Sequence, residues 1–449
     1  MEANKKSTTI LADFVPYLVT FKKSWYLRVG LLSLFILFGL YAFIVQLVKG
    51  HIVTGMRDNV VWGVYIINFI FFLGLSYAGA LISCIFHLGR VNWGKPLIRM
   101  LEIMAVVSLI VAPIYIILCI GRIDRLFNLF IYARIQSPIT WDVIAIATDL
   151  VFCITYLYMT HIKDFAKLRD YEDLRIPKWR KKLYSFLAIG YRDTPEQKKQ
   201  LNRALDIMAA IIIPTSIIAY SLLAWLFGMN LRPGWHSSIL APYFVLTAVY
   251  SGICLLIIVM WIYRKSRYLQ NYITNQHFNY LGFVMVMLAL FYGYFTFSDY
   301  ITEWYNSVQV NSWLLDQLFS FDHYAWMFIF SVFVAAFLPL LIIGFPLFRS
   351  VNSITITAFL VLIGLWFRRY LLIVPPLETP YIPIQDWQPA WVNYSATWVE
   401  WALTLAGIAF IILVYMLLSK LVPIIPISEI EERGKKFRVF FKGTKEQSK

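Results

Sequence analysis

Residues 55–88 read GMRDNVVWGVYIINFIFFLGLSYAGALISCIFHL, and their grading decides the class of fold. Arg57 and Asp58 stand just outside an apolar run from Val61 to Leu88. Aromatic residues sit at its mouth, Gly74, Ser76, Ala78 and Gly79 in its middle, and Ser83, Cys84 and His87 further down. About 20 mostly apolar residues suffice for a helix to cross a bilayer. A helix needed only as an anchor would not require this gradation, so we read it as one wall of a site.

Working outward, the composition agrees with a membrane reading. The 449 residues are 60% hydrophobic, 18% aromatic and only 14% charged. A soluble domain so composed would expose large apolar patches. The length criterion gives candidate spans at 29–49, 61–88, 97–121, 140–162, 206–228, 240–263, 278–298, 324–347, 354–374 and 396–419. Glycine, proline and polar residues punctuate the gaps, as at Gly94-Lys95-Pro96 and Arg232-Pro233-Gly234. Met1 to Phe21 is mixed and amphipathic, with no cleavage site after a short apolar run, so no cleavable signal peptide is expected. Cys84, Cys119, Cys153 and Cys254 lie far apart in apolar stretches and form no CxxC. That argues against disulfides, iron–sulfur ligation and structural zinc.

The expected fold is an all-α polytopic membrane protein of about ten transmembrane helices. Spans two to five and six to nine are expected as two four-helix bundles, with the first and last spans peripheral. The corresponding boundaries are a 1–28 N-terminal segment, 29–228 for the first helix and first bundle, 229–374 for the second bundle, and 375–449 for the last helix and a basic tail. The 163–205 connection is the longest, and Thr194-Pro195-Glu196 within it reads as a helix start.

Charge orients the spans. Lys5, Lys6, Lys22, Lys23 and Arg28, then Arg90 and Lys95, the basic residues of 163–205 (Arg175 among them), Arg264, Lys265 and Arg267, and Arg433, Lys435, Lys436 and Arg438 in the tail fall on one side of an even count of spans. The other side has Glu303, Asp316 and Asp322 in one loop and Glu378 and Asp386 in another. The positive-inside rule then places both termini in the cytoplasm. The net charge of +15 reads as loop chemistry and contact with an anionic lipid bilayer. No nucleic-acid partner is expected, because the basic residues are split among loops and tails with no reading motif.

The run from Gly55 to Gly79 resembles the signature of the NrfD/PsrC-like integral membrane subunits of respiratory oxidoreductases, and among these the ActC type of alternative complex III. Further segments agree: Gly121-Arg122, Ser137-Pro138-Ile139-Thr140-Trp141-Asp142, and Arg232-Pro233-Gly234-Trp235-His236-Ser237-Ser238. The resemblance runs from about residue 30 to 305. It implies a cofactor-free helical subunit in the cytoplasmic (inner) membrane of a prokaryote. Such a subunit docks an extracytoplasmic ferredoxin-like iron–sulfur subunit, itself joined to molybdopterin-type or related subunits. It exchanges electrons with menaquinone or ubiquinone, with proton translocation as a further implied role.

Candidate residues follow. The connections 50–60, 122–139 and 229–239 share the outer side, so Arg57, Asp58, Arg125, Arg134, Trp235 and His236 are candidates for docking a partner. Tyr77, Arg122, Asp142, Asp149 and Tyr220 are candidates for a quinone pocket. Asp142 and Asp149 are seven apart and share a helix face with Cys153 and Tyr156. An ionisable residue inside a membrane is a functional candidate by default. His87, Glu102, Asp149 and His161 are candidates for a proton route from the cytoplasm. Of Arg368 and Arg369, one is expected to snorkel outward while the other pairs inward with Glu400 or Asp299.

Departures from the resemblance define the alternatives. Relatives carry Ser-His-Ala-Gly where this chain has Ser76-Tyr77-Ala78-Gly79, and a His and an Asp where alignment on Pro233 places Tyr220 and Leu226. Quinone chemistry wants groups that exchange protons near neutral pH, whereas an unperturbed Tyr holds its proton until about pH 10. The second reading is therefore a quinone-independent anchor or proton-conducting subunit of a terminal reductase. A third is a secondary transporter, disfavoured by the lack of matched Gly/Pro-broken helices.

Overall fold

The computed structural model describes residues 15–171, 176–265, 269–270, 272–306, 308–379 and 393–427. Lys5, Lys6, Arg175, Arg267, Asp386 and the basic residues of the tail lie outside these.

Apolar length makes the spans. Ten helices are long and apolar enough to cross a membrane: α1 (Lys23–Lys49), α2 (Val64–Leu88), α3 (Lys95–Ile120), α4 (Pro138–Asp170), α6 (Pro195–Gly228), α7 (Leu240–Arg264), α8 (Asn275–Asn306), α10 (Ala325–Ile343), α11 (Val351–Glu378) and α12 (Trp398–Leu421). Shorter helices lie between them, among these α5 (Lys178–Leu187) and α9 (Gln309–Phe319). All ten expected spans are present. The chain is an all-α polytopic membrane protein, with no strand among the described residues.

Local sequence explains several ends. Thr194 caps α6 by accepting the Gln197 N–H at 3.3 Å, and Pro195 follows at the first turn, where a missing N–H costs nothing. A capping box of Thr397 and Glu400 opens α12. Gly121 ends α3 at φ +74, a conformation side-chain-bearing residues rarely adopt. A π-helical turn at Phe333–Phe337 interrupts α10.

Helix α2 is the hub. In its most apolar part 83% of the residues are buried, against 17% in α1. Its small residues set this. A Cβ on Gly79 would come within 2.6 Å of the Leu101 carbonyl, and one on Gly252 of α7 within 2.4 Å of the Ala78 Cβ. Small residues let backbones close up where lipid offers no hydrophobic drive between helices. α2, α3, α4 and α6 pack on one another, and so do α7, α8, α10 and α11, with α7 packed on α2 and α6 and α11 touching α2. Buried apolar residues run across the two sets, as where Ala78, Leu101 and Met104 cluster with Tyr250 and Cys254. α1 and α12 pack on each other at the side. Exposed Leu27, Leu34, Leu37 and Val48 make the outer face of α1 a lipid-facing surface.

Helix α4 is 33 residues long, roughly 50 Å, so it projects past a hydrocarbon core of about 30 Å. Beyond it, α5 gathers the chain ends. Arg180 donates to the carbonyls of Leu18 (3.0 Å) and Lys420 (3.1 Å), and the Tyr184 hydroxyl to that of Leu421 (2.8 Å).

Candidate functional site

The face that α4 turns inward carries Asp142, Asp149, Cys153 and Tyr156, all buried. Asp149 is 0% exposed and Asp142 4%. Opposite them α2 presents Tyr77, and α6 presents Tyr220 and Ser216, again all buried. The rings of Tyr77 and Tyr220 meet edge to face at 5.5 Å between centroids. Tyr77 lies within electrostatic reach of both carboxylates and of Cys153. Cys153 Sγ donates to Asp149 at 3.6 Å.

Four oxygens in this cluster have no hydrogen-bond partner among the described residues: the Tyr77 and Ser216 hydroxyls and one carboxyl oxygen each of Asp142 and Asp149. No lysine, arginine or histidine among the described residues pairs with either carboxyl group. Buried polar groups are almost always satisfied, so four orphans in one cluster ask for a function. Of the five residues expected to form a pocket, Tyr77, Asp142, Asp149 and Tyr220 converge here.

Arg122 does not. It is 63% exposed in its side chain and binds Asp124 at 3.0 Å, because the left-handed turn at Gly121 leads it away from the bundle. The hydrogen bond from Arg122 holds the Asp124 carboxyl below its ordinary range.

Further along the same bundle lies a second polar layer. Glu102 of α3 accepts from the Thr160 hydroxyl at 2.7 Å and stands 3.9 Å from Arg99. Arg99, 2% exposed, binds Asp164 of α4 at 2.9 Å and the Thr160 carbonyl at 3.0 Å. Cys84 and Cys153 lie within electrostatic reach of both Glu102 and Asp149, and Tyr156 lies beside Cys84. His161 is buried close to Arg99, with Nδ1 on the Leu157 carbonyl at 2.6 Å. His87 turns aside to Asp206 at 2.9 Å, drawn toward the surface by an exposed carboxylate.

The second bundle handles charge differently. Arg368 binds the Tyr300 hydroxyl at 2.6 Å and Asp299 at 3.4 Å, and lies over the Tyr243 ring. Arg369 is 3% exposed and bonds neutral acceptors only: the carbonyls of Leu365 (2.9 Å) and Thr247 (3.4 Å) and the Ser251 hydroxyl (3.2 Å). Its guanidinium sits over Phe71 of α2 and near Tyr220. Neither arginine snorkels, and Glu400 is not a partner. That carboxylate instead accepts the N–H groups of Gly55 (2.7 Å) and Thr397 (2.9 Å) and the Tyr394 hydroxyl.

The connections beyond the ends of α2, α3, α6 and α7 lie together. Trp62 stacks on Trp235 at 6.3 Å, and the ring of His51 lies against Gly121. Burial holds the His51 imidazole below its ordinary pKa. Arg57, Asp58, Arg125, Arg134 and His236 are exposed here. Trp235 is not available to a partner. It is 1% exposed, and its indole N–H donates to the Leu372 carbonyl at 2.7 Å, the usual fate of a Trp that can bury both its ring and its polar tip. Sequence reasoning missed Arg99 and Asp164. Arg99 stands three residues before Glu102 in an apolar run, a pairing signal open to the eye.

Ten spans enclosing buried polar residues define a multi-helix membrane protein. The chain belongs to the NrfD family: the profile "Polysulphide reductase, NrfD" matches residues 52–380. It is similar to a chain named as a dimethyl sulfoxide reductase membrane subunit in Halobacterium salinarum, 28% identical over 244 residues. That match covers 54% of this chain and about half (51%) of the relative. A selenate reductase subunit of Mesobacillus selenatarsenatis is 20% identical over 88% of this chain and 93% of its own length. The menaquinone reductase integral membrane subunit of Nitratidesulfovibrio vulgaris is 24% identical over 86% of this chain and 89% of its own. The protein is thus a multi-pass subunit of the prokaryotic cytoplasmic membrane and of the family that serves reductase and oxidoreductase complexes.

Proposed function

We propose that this chain exchanges electrons between the quinone pool and an iron–sulfur subunit docked over Arg57, Arg125 and Arg134, and that Asp149, Asp142 and Tyr77 handle the protons. The observation that carries this reading is the cluster itself: two membrane-embedded carboxyl groups and a phenol, four orphaned oxygens and no counter-cation among the described residues. The donor set fits a quinone head. A phenol donates to a carbonyl oxygen, and a carboxyl group takes or gives a hydroxyl proton. Quinone, when bound, would supply redox chemistry at this site. The chain orients the head, excludes water and moves protons.

The line from Asp149 through Cys153, Tyr156 and Cys84 to Glu102 supports a proton route toward the Arg99–Asp164 layer, on the basic and therefore cytoplasmic side. Glu102 and Asp149 are its proton carriers. His161 flanks it, and His87 lies off it.

The test uses the purified complex. Menaquinol-dependent reduction of the partner's clusters is measured for the wild type and for Asp149→Asn, together with titration of a quinone-site inhibitor. Loss of quinol turnover in an assembled Asp149→Asn complex is expected. Cluster reduction that proceeds without quinol and ignores the inhibitor would instead favour the quinone-independent anchor, a reading that Tyr77 and Tyr220 at the heart of the site keep in play.

A further inference from the structure

Where α1 begins and α7 and α12 finish, the molecule holds a cleft of about 880 Å³. Lys22 and Arg28 line it from the start of α1, Lys265 from the end of α7 and Lys420 from the end of α12, with Trp25 and Tyr263 among its walls. No acidic side chain lines it among the described residues. None of the four cations has a carboxylate partner among them. The indole N–H of Trp25 is buried without an acceptor among the described residues.

Lys420 is fixed in this crowd. Its Nζ donates to the carbonyls of Tyr17 (2.5 Å) and Thr20 (3.2 Å) and lies 4.2 Å from the Tyr17 ring centre. Arg180, Arg28 and Lys22 all stand close enough to repel it. Like charges gathered at a membrane surface repel unless an anion joins them, and basic pockets between transmembrane helices are where acidic headgroups bind. The apolar surroundings continue the argument. Ile262 lines the cleft and is exposed, and Leu27, Leu31 and Leu34 run exposed along α1 from the same end.

We propose that this cleft holds one anionic diacyl phospholipid, with its phosphate among Lys22, Arg28, Lys265 and Lys420 and its acyl chains along the exposed face of α1. The lipid would clasp the N-terminal segment, α7 and α12, joining the peripheral helix pair to the second bundle. The chemistry selects a headgroup of net negative charge. The exposed leucines select a lipid over free phosphate.

The purified complex is examined by native mass spectrometry and lipid extraction. It is also delipidated and melted with added phosphatidylglycerol, phosphatidylethanolamine or inorganic phosphate. The wild type is expected to retain one anionic phospholipid per chain and to gain thermal stability from phosphatidylglycerol alone. Arg28→Gln and Lys265→Gln are each expected to weaken retention about fivefold, the scale of one cation at an acidic membrane surface. Lys23→Gln, outside the cleft, is expected to change nothing. Lys420 is left intact because its bonds to Tyr17 and Thr20 hold the fold. Equal stabilisation by both lipids, equal retention in all variants, or a full shift with inorganic phosphate would each overturn the proposal.

Discussion

The Asp142–Asp149 site of the first bundle and the Arg368 site of the second bury charge in opposite ways, whereas the first bundle's other polar layer pairs Arg99 with Asp164. In the first, Asp142 and Asp149 are buried with no cation beside them among the described residues, and four oxygens of that cluster lack partners among them. In the second, Arg368 is met by Asp299, Tyr300 and the face of Tyr243. Removing a charge from water costs several kcal/mol unless it is paired and hydrogen-bonded, so a satisfied pair reads as architecture. Unsatisfied acids read as chemistry, since a group that must change its proton or meet a ligand cannot be locked by neighbours. Arg369 stands between the two cases. It has only neutral acceptors, and it touches the first bundle through Phe71 and Tyr220.

The sharpest way to break this contrast is Asp149→Asn. The substitution keeps size and polarity, so the complex is expected to assemble. Quinol turnover is expected to fall by about 10²- to 10⁴-fold, the range for losing a positioned proton carrier. Turnover within a few-fold of the wild type would make the first bundle's acids as structural as the second's.

Next comes Arg368→Ala. It strands the Asp299 carboxylate in a buried site, and breaking such a pair costs about 3–5 kcal/mol. The expected result is a chain that melts early or is lost from the membrane. Pairing it with Asp299→Asn is expected to recover much of the loss, because no lone charge then remains. If Arg368→Ala left melting unchanged but abolished turnover, the assignment of chemistry to one bundle and architecture to the other would be reversed.

The contrast was only partly legible beforehand. The ten spans could be read because apolar length and basic loops report on the bilayer directly. The shared face of Asp142 and Asp149 follows from helical period alone. What lies across from a face is a tertiary fact. Asp299 was one of two partners open to the arginines, and only packing chose it. Glu400 holds Gly55 across 345 positions, and Arg99 finds Asp164 across 65, neither of which local pattern reports. Arg122 was misplaced for a backbone reason, since one left-handed glycine decides where the chain goes after α3. Trp235 was misread because a tryptophan next to exposed His236 looks like surface until its cavity is seen.

A smaller effect sharpens the site itself. The Tyr77 hydroxyl makes no hydrogen bond among the described residues, so Tyr77→Phe removes a buried orphan and is expected to leave melting unchanged or slightly raised. Turnover is expected to fall by about tenfold, the worth of one hydrogen bond to the reacting head. Thermal melts and quinol kinetics on the same preparation separate the two effects. A loss of stability with normal kinetics would put Tyr77 among the packing residues.

The smallest effect tests the outer end. Arg122 and Asp124 are both more than 60% exposed, at 63% and 61% of their side chains, and such a pair contributes little in solvent. Arg122→Ala is therefore expected to leave melting unchanged and the isolated subunit's affinity for quinone within about twofold of the wild type. Any effect should fall on association with the partner and weaken further as salt is raised, because exposed charges steer encounter more than they hold a complex together. Measuring quinone binding and partner association separately at two ionic strengths decides it. A salt-independent loss of quinone binding would return Arg122 to the pocket and require the turn at Gly121 to rearrange.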